Sequence, residues 1–358
     1  MTNKRIPQRG NLLPPSGGTR RKPIGLYVHV PFCKSKCNYC SFYSVEYREA
    51  LALEYKFAVI RNVKHWAKVE DVVFDTVFFG GGTPSLFYKE IAEIMQFIPL
   101  TTNAEITIEA NPDDVNQKML QTLKGVGVNR LSIGVQSLDD SVLYSLGRRH
   151  DSLCATKAIE QAHTEGFTNI SVDIMLGIPE QDLLSDLKKI CTLPINHLSC
   201  YMYESSNTID EFDQSDLYLK AVDFLESSNL HQYEISNFGR PCKHNLKYWR
   251  CEEYVGIGSA AHSYYGGKRF AVSEDVEAFI LADLQETYIT EENPGSSEEQ
   301  LMLGLRLCEG VMASPKQLEK AQSLPSEYVC VRSGEQKNLS LTAKGFLVSN
   351  SIIAKLLD

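Results

Sequence analysis

Ile24-Gly25-Leu26-Tyr27-Val28-His29-Val30, then Pro31-Phe32, then Cys33-Lys34-Ser35-Lys36-Cys37-Asn38-Tyr39-Cys40, is the stretch on which the reading of the fold turns. Its first part is a short apolar run of the kind that forms a buried strand. The three thiols that follow lie in one loop at the C-terminal end of that strand, where α/β folds place their ligands.

Outward from this strand the pattern repeats as far as Ser206: an apolar run, a polar or glycine-rich turn, then a segment of helical periodicity. Such alternation implies parallel strands joined by crossover helices. Strands are expected at Ile24 to Val30, Thr76 to Phe79, Glu105 to Ala110, Leu131 to Val135, Asn169 to Leu176 and His197 to Tyr203, which make an open α/β barrel or sheet. Between them Leu53, Phe57, Ile60 and Val63 recur at helical spacing, as do Ile91, Ile94, Met95 and Ile98, then Val115, Met119, Leu120 and Leu123. Each stripe is expected to face the core, because a helix in such a fold buries one face against the sheet.

Beyond Ser206 a helix is expected from Asp216 to Glu226 and a strand at Tyr233 to Ile235. Asn293-Pro294-Gly295 reads as a linker, and Ser296 with Glu299 as a capping box opening a helix through Met302 and Leu305. The division expected is a basic arm over residues 1–23, a core barrel over 24–240, a connecting segment over 241–294 and a small α+β domain over 295–358.

Composition narrows the function classes. The 358 residues are 43% apolar and 23% charged, a balance typical of soluble globular proteins, with a net charge of −9. That charge opposes a nucleic-acid partner, whose binding needs a basic surface to displace counterions. No apolar run approaches the roughly 18 residues that cross a bilayer, and no secretory signal core is present, so the expected compartment is the cytoplasm. Lys4, Arg5, Arg9, Arg20, Arg21 and Lys22 make residues 1–23 a basic, disordered arm that could attach peripherally to an anionic membrane. Pro14, Pro15, Gly17 and Gly18 interrupt any amphipathic helix there and count against a transit peptide. The ten cysteines are not expected to pair in a reducing compartment, so a tight triplet reads as metal-binding.

Cys33, Cys37 and Cys40 suit a 4Fe-4S cluster, since three thiolates leave one iron free for the amino and carboxylate groups of S-adenosylmethionine. The competing reading is structural zinc, which wants four protein ligands, usually as two C-x-x-C pairs. Gly80-Gly81-Gly82-Thr83-Pro84 follows the second strand, where glycines let a backbone approach a ligand and present carbonyls to an ammonium group; alone, such a run is more often a tight turn. Glu109, Gln136 and Asp173 sit at the ends of apolar strands and are costly to bury without partners. A ribose, an adenine or a methionyl ammonium would partner them, and Arg148 could meet a carboxylate, although ion pairs inside the barrel would serve equally.

Taken together these blocks resemble the radical S-adenosylmethionine (SAM) proteins related to oxygen-independent coproporphyrinogen III oxidase. The resemblance runs from about Leu26 to the end, through Leu26 to Cys33, Phe79 to Ser85, Ile108 to Pro112, Ser132 to Ser137 and Gly256 to His262, in the family's order and approximate spacing. It implies an open, partial (β/α)6 TIM-like radical SAM barrel with a small C-terminal α+β accessory domain around Leu341 to Gly345 and Asn350. By the same resemblance Tyr27 and Tyr39 would contact the cluster and cofactor, Gly81, Gly82 and Thr83 the methionyl end, and Glu109, Gln136, Arg148 and Asp173 the rest of S-adenosylmethionine.

Two features look like the HemW branch, described as haem chaperones, rather than the decarboxylating oxidases. Phe42 stands where the oxidases carry a fourth cysteine. His244-Asn245-Leu246-Lys247-Tyr248-Trp249 matches the H-N-x-x-Y-W signature associated with haem binding, with His as axial ligand and Tyr and Trp as flat faces. On a helix Tyr248 would lie over His244, and Cys242 is a second soft ligand nearby. A lone histidine would more often be a core or surface residue; the six-residue signature favours haem. The resemblance thus implies a protein that binds haem and delivers it to an acceptor protein, one that could be membrane-associated, with an electron donor for the cluster. The alternatives are the coproporphyrinogen III oxidase reaction of porphyrin biosynthesis, or a radical SAM enzyme on another substrate. One departure stands at Glu204-Ser205-Ser206-Asn207-Thr208, where relatives have Glu-Pro-x-Thr and a longer segment.

Overall fold

Six parallel strands carry the molecule: β1 (Ile24–Val30), β2 (Phe74–Gly81), β3 (Leu100–Ala110), β4 (Arg130–Gln136), β5 (Ile170–Leu176) and β6 (His197–Met202). The computed structural model describes residues 23–69, 72–204, 214–291, 294–332 and 338–357. The basic arm up to residue 22, the shortened segment after Glu204 and Asn293 of the linker lie outside them. Helices α1 (Glu49–Val69), α2 (Tyr88–Ile94), α3 (Gln117–Gly125), α4 (Ser152–Thr164), α5 (Leu183–Ile190) and α6 (Ser215–Ser227) follow the strands in turn, the six-fold βα repeat expected. β1 is buried along nearly its whole length, as a parallel strand covered on both faces must be. The strands are rich in β-branched and aromatic residues, and several helices open on a polar cap: Asn116, Asp151 and Asp182 each accept a first-turn N–H.

The sheet continues past the six strands. A short antiparallel strand β7 (Asn237–Gly239) lies beside β6, and β8 (Tyr254–Ile257) runs parallel to β1 on its other side. From β8 an antiparallel ribbon follows, β9 (His262–Tyr265), β10 (Lys268–Val272) and β11 (Thr287–Glu291). The order is therefore β11-β10-β9-β8-β1-β2-β3-β4-β5-β6-β7, and β7 and β11 are its two unjoined edges, so the barrel is open. The segment expected to be a connector over 241–294 is largely part of this same sheet.

Three local expectations are corrected. On α1 half of the expected stripe, Ile60 and Val63, is buried together with Ala52, Tyr55 and Val59, while Leu53 and Phe57 are 45% and 52% exposed. Two apolar stripes lie side by side on this helix, about 100° per residue apart, and periodicity cannot say which meets the sheet. The strand expected at Tyr233 to Ile235 is reduced to isolated bridges at Gln232 and Glu234, with the ladder displaced to β7. Ser296 accepts the N–H of Glu299, but the Glu299 carboxylate turns to the N–H of Gly295 and to Arg269, so only half a capping box forms.

Residues 311–341 include a three-stranded antiparallel sheet of Val311–Met312, Asn338–Leu341 and Val329–Arg332. This unit has its own sheet and no separate core: Leu301, Leu339, Phe346 and Ile353 pack in the same hydrophobic cluster as the barrel residues. Among the described residues no helix is long and apolar enough to cross a membrane.

Candidate cofactor site

The cysteine loop is tied down at both ends. Phe32–Cys33 pairs in parallel with Val45–Glu46, and Lys34 Nζ donates to Asp114 Oδ1 at 2.6 Å. The glycine loop after β2 is fastened to it: the N–H groups of Gly82 and Thr83 donate to the carbonyls of Val30 and Phe32, both at 2.8 Å. A side chain at Gly82 would collide with the Phe32 backbone, and one at Gly81, whose φ is +115°, with the His29 ring. The glycines thus serve close packing of two loops, a role that backbone freedom at Gly81 makes possible.

Two groups reach the thiols. Thr83 Oγ1 donates to Cys33 Sγ at 3.4 Å, and Arg148 Nη1 to Cys37 Sγ at 3.5 Å and to Tyr39 Oη at 3.2 Å. Arg148 Nη2 anchors the other end on Asn111 Oδ1 and the Gly134 carbonyl at 2.8 and 2.7 Å, so this guanidinium bridges loop and barrel. Burial and the charges of Cys33 and Cys37 push the Cys40 thiol up. Among the described residues no three such side chains converge on one ion.

Cys33, Cys37 and Cys40 border a cavity of about 370 Å3 that Glu109, Gln136, Arg148 and Asp173 also line. Register explains the gathering: β3 sets Glu109, near its C-terminal end, beside Ser132 on β4, and β4 sets Gly134 beside Asp173 in the middle of β5, while Gln136 closes β4. Burial pushes the Glu109 carboxyl up to about 8, with Asp173 adding, against one N–H bond from Gly81 at 3.1 Å. Burial likewise raises Asp173, which accepts from Ser132 at 3.2 Å. Gln136 holds a left-handed φ of +71°, rare for a residue with a side chain, and Arg148 Nε is buried without a partner. Two carboxyls whose proton affinity burial raises, together with an unused donor, fit a ligand bearing an ammonium or sulfonium charge and a carboxylate. Asn111 and Tyr201 also border this cavity and were not singled out in the sequence; Asn111 stood within the Ile108 to Pro112 block.

A second cavity, of about 400 Å3, adjoins the first, with Phe42 on the wall of both. Phe42 is 66% exposed. Tyr27 faces this second cavity and not the first, its hydroxyl bonded to His29 Nδ1 at 3.0 Å, while His29 Nε2 donates to the Tyr43 carbonyl at 3.1 Å. Tyr43, Tyr248, Tyr254 and His262 also line it.

The H-N-x-x-Y-W residues form the helix α7 (Lys243–Trp249), but they do not share one face. His244 is 1% exposed; its Nδ1 is bonded to Thr76 Oγ1 and its Nε2 to Tyr248 Oη, both at 2.8 Å, and burial lowers it to about 3. It would have to give up one of these bonds to reach an iron. Tyr248 alone of the signature borders the second cavity, Trp249 turns to Glu234, and Asn245 contributes a backbone N–H to Cys242. Cys242 is fully buried against Glu105, at 3.7 Å.

Comparison with known proteins agrees with this architecture. Residues 27–191 match the radical SAM superfamily. The chain is 34% identical to the heme chaperone HemW of Synechocystis sp. over 86% of this chain and 84% of that one, and 34% identical to that of Bacillus subtilis over 80% and 84%. The solved structure of Escherichia coli coproporphyrinogen III oxidase (HemN) superposes with a TM-score of 0.77 at 21% identity, covering 93% of this chain and 90% of that one, which shows a common fold. The chain belongs to the HemW family of radical SAM proteins.

Proposed function

We propose that this chain is a haem chaperone: it holds a 4Fe-4S cluster on Cys33, Cys37 and Cys40, takes S-adenosylmethionine into the adjoining cavity, and carries haem to an acceptor protein. The observation that supports cargo beside cofactor is the second, aromatic cavity that shares Phe42 with the first. A bound cluster would supply the electron for reductive cleavage of the sulfonium. The chain's own part is to orient: Glu109 and Asp173 take the positive groups of the ligand, and Thr83 and Arg148 steady the thiolates by charge-assisted hydrogen bonds.

An apolar phenyl at position 42, open to both cavities, offers a porphyrin a stacking surface and offers iron no ligand. This favours transport over the oxidase reaction. The acceptor and an electron donor are the partners this reading requires, and the compartment proposed is the cytoplasm, with the basic arm as a contact to an anionic membrane.

The test is a haem titration of anaerobically reconstituted protein, with coproporphyrinogen III turnover assayed on the same samples. Saturable haem binding without turnover is the expected result. Turnover would transfer the chain to the oxidases despite Phe42, and absence of both would leave it a radical SAM enzyme on another substrate.

A further inference from the structure

We infer that His262 is the axial iron ligand of the haem, which lies in the aromatic cavity beside the cluster, and that His244 positions one wall of that cavity without touching the metal. This rests on the haem-chaperone reading and names the site within it.

The cavity has the size and lining that a flat apolar ligand needs. Its volume of about 400 Å3 lies in the range of small-molecule sites, roughly 300 to 1,000 Å3. Tyr27, Tyr43, Tyr248 and Tyr254 present ring faces or edges to it, with Phe42 at the boundary with the cluster cavity. Tyr248 and Tyr254 are braced against each other edge to face, ring centres 4.5 Å apart, so that wall is rigid. Of the charged side chains, only the acid Glu274 borders the cavity among the described residues, which leaves the haem propionates to point out of its open mouth into water.

Three histidines lie in or against this space, and only one has a nitrogen to give. His29 is held at both ring nitrogens, by Tyr27 and Tyr43. His244 is held at both, by Thr76 and Tyr248, and stacks on Phe78 at 5.4 Å. His262 borders the cavity, its residue surface is exposed, and among the described residues no hydrogen-bond partner holds its imidazole. An axial ligand needs a lone pair on one nitrogen while the other donates, often to a carboxylate, and Glu274 stands on the same wall. Burial and the Arg269 charge lower His262 from the usual histidine value, against a smaller pull from Glu274, which favours the neutral ring an axial ligand must present.

The backbone is bent to put this side chain where it is. Between β8 and β9 the chain passes Gly258 at φ +112° and Ala260 at φ +64°, the second a left-handed conformation that residues with a Cβ seldom adopt. A side chain at Gly256 would collide with the His262 carbonyl, and one at Gly258 with Tyr55 and His29. The turn therefore packs directly against the strand that leads to the cysteines, and His262 emerges at the first residue of β9, paired with Ala271. His244 acts at one remove from the ligand, since its bond to the Tyr248 hydroxyl sets the rotamer of a ring in the cavity wall.

The experiment is a titration of hemin into cluster-loaded, full-length protein under anaerobic conditions, read as difference absorbance against the same protein without hemin. Wild type is compared with His262→Ala, His262→Met and His244→Ala. Loss of the axial ligand in His262→Ala should weaken hemin binding by roughly ten- to a hundredfold, at least the effect of losing a supporting group around a metal. Free imidazole added to that variant should restore the wild-type bands, which no merely structural role would allow. His262→Met should keep binding and move the bands, because a thioether is a different ligand to haem iron. His244→Ala should weaken binding less and leave the bands unmoved. If wild type takes up hemin and His262→Ala matches it in affinity and spectrum, the assignment of His262 fails and the haem reading stands. If wild type shows no saturable uptake, both fail.

Discussion

Glu109 offers a direct quantitative test of the cofactor cavity. Its carboxyl is pushed up to about 8 by burial and by Asp173, so in the ligand-free protein it is protonated at neutral pH. A cationic ligand needs it ionised. The sign follows from linkage: the ionised fraction grows as pH rises towards 8, so binding of S-adenosylmethionine should strengthen with pH and release a proton. With a carboxyl value of about 8, the ionised fraction rises from about 0.3% at pH ~5.5 to about 9% at pH ~7, which predicts a gain in affinity of roughly thirtyfold. That window stays below the usual range of a free α-amino group, so the ligand's ammonium remains charged. The same shift has a stability consequence of opposite direction. The folded empty protein keeps a proton that the unfolded chain has released, and its stability should fall as pH rises from about 4.5 to about 8. The assay is anaerobic calorimetric titration of wild type and Glu109→Gln in buffers of different ionisation heat. The amide cannot ionise, so the variant should lose most of the pH slope and one released proton. Equal slopes in the two proteins would refute the reasoning.

Three further outcomes follow from the geometry. Cys37→Ala should abolish cluster absorbance and leave hemin binding largely intact, since the thiols and the aromatic cavity lie on different sides of Phe42; equal loss of both would defeat the two-cavity arrangement. Arg148→Met should lower cluster retention during desalting, because the guanidinium joins Cys37 and Tyr39 to Asn111 and Gly134; unchanged iron content per chain would count against that role. His244→Ala leaves Thr76 and Tyr248 without their partner in a buried site, and should cost about 2 to 4 kcal/mol in urea unfolding of cluster-free protein, where a change under about 0.5 kcal/mol would show that the two bonds are dispensable.

The repeat of strand and helix was legible in the chain because it is local. Apolar runs at period two or as continuous blocks, and stripes at period 3.6, report which backbone a segment prefers. The six parallel strands of an open α/β barrel or sheet were readable this way, and the family resemblance from its motif blocks. The cysteine loop was readable too, since its three thiols lie within eight residues. Local pattern failed where two answers were equally apolar, as on α1, where Phe57 and Tyr55 belong to rival stripes and only packing against the sheet chose Tyr55.

What the tertiary structure alone decided are contacts between residues far apart in the chain. His244 meets Thr76 across 168 residues, and this bond, with the one to Tyr248, engages both nitrogens of the histidine in the H-N-x-x-Y-W signature. The aromatic cavity draws Tyr27 from β1, Phe42 and Tyr43 from the loop after the cysteines, Tyr248 from α7, and Tyr254 and His262 from β8 and β9. No spacing in the sequence marks those residues as neighbours, because strand order, with β8 laid in parallel against β1, is what brings residues 27–43 and 248–262 together. The sequence determined most of the elements and the cysteine loop; the pairing of strands distant in the chain determined which histidine faces open space.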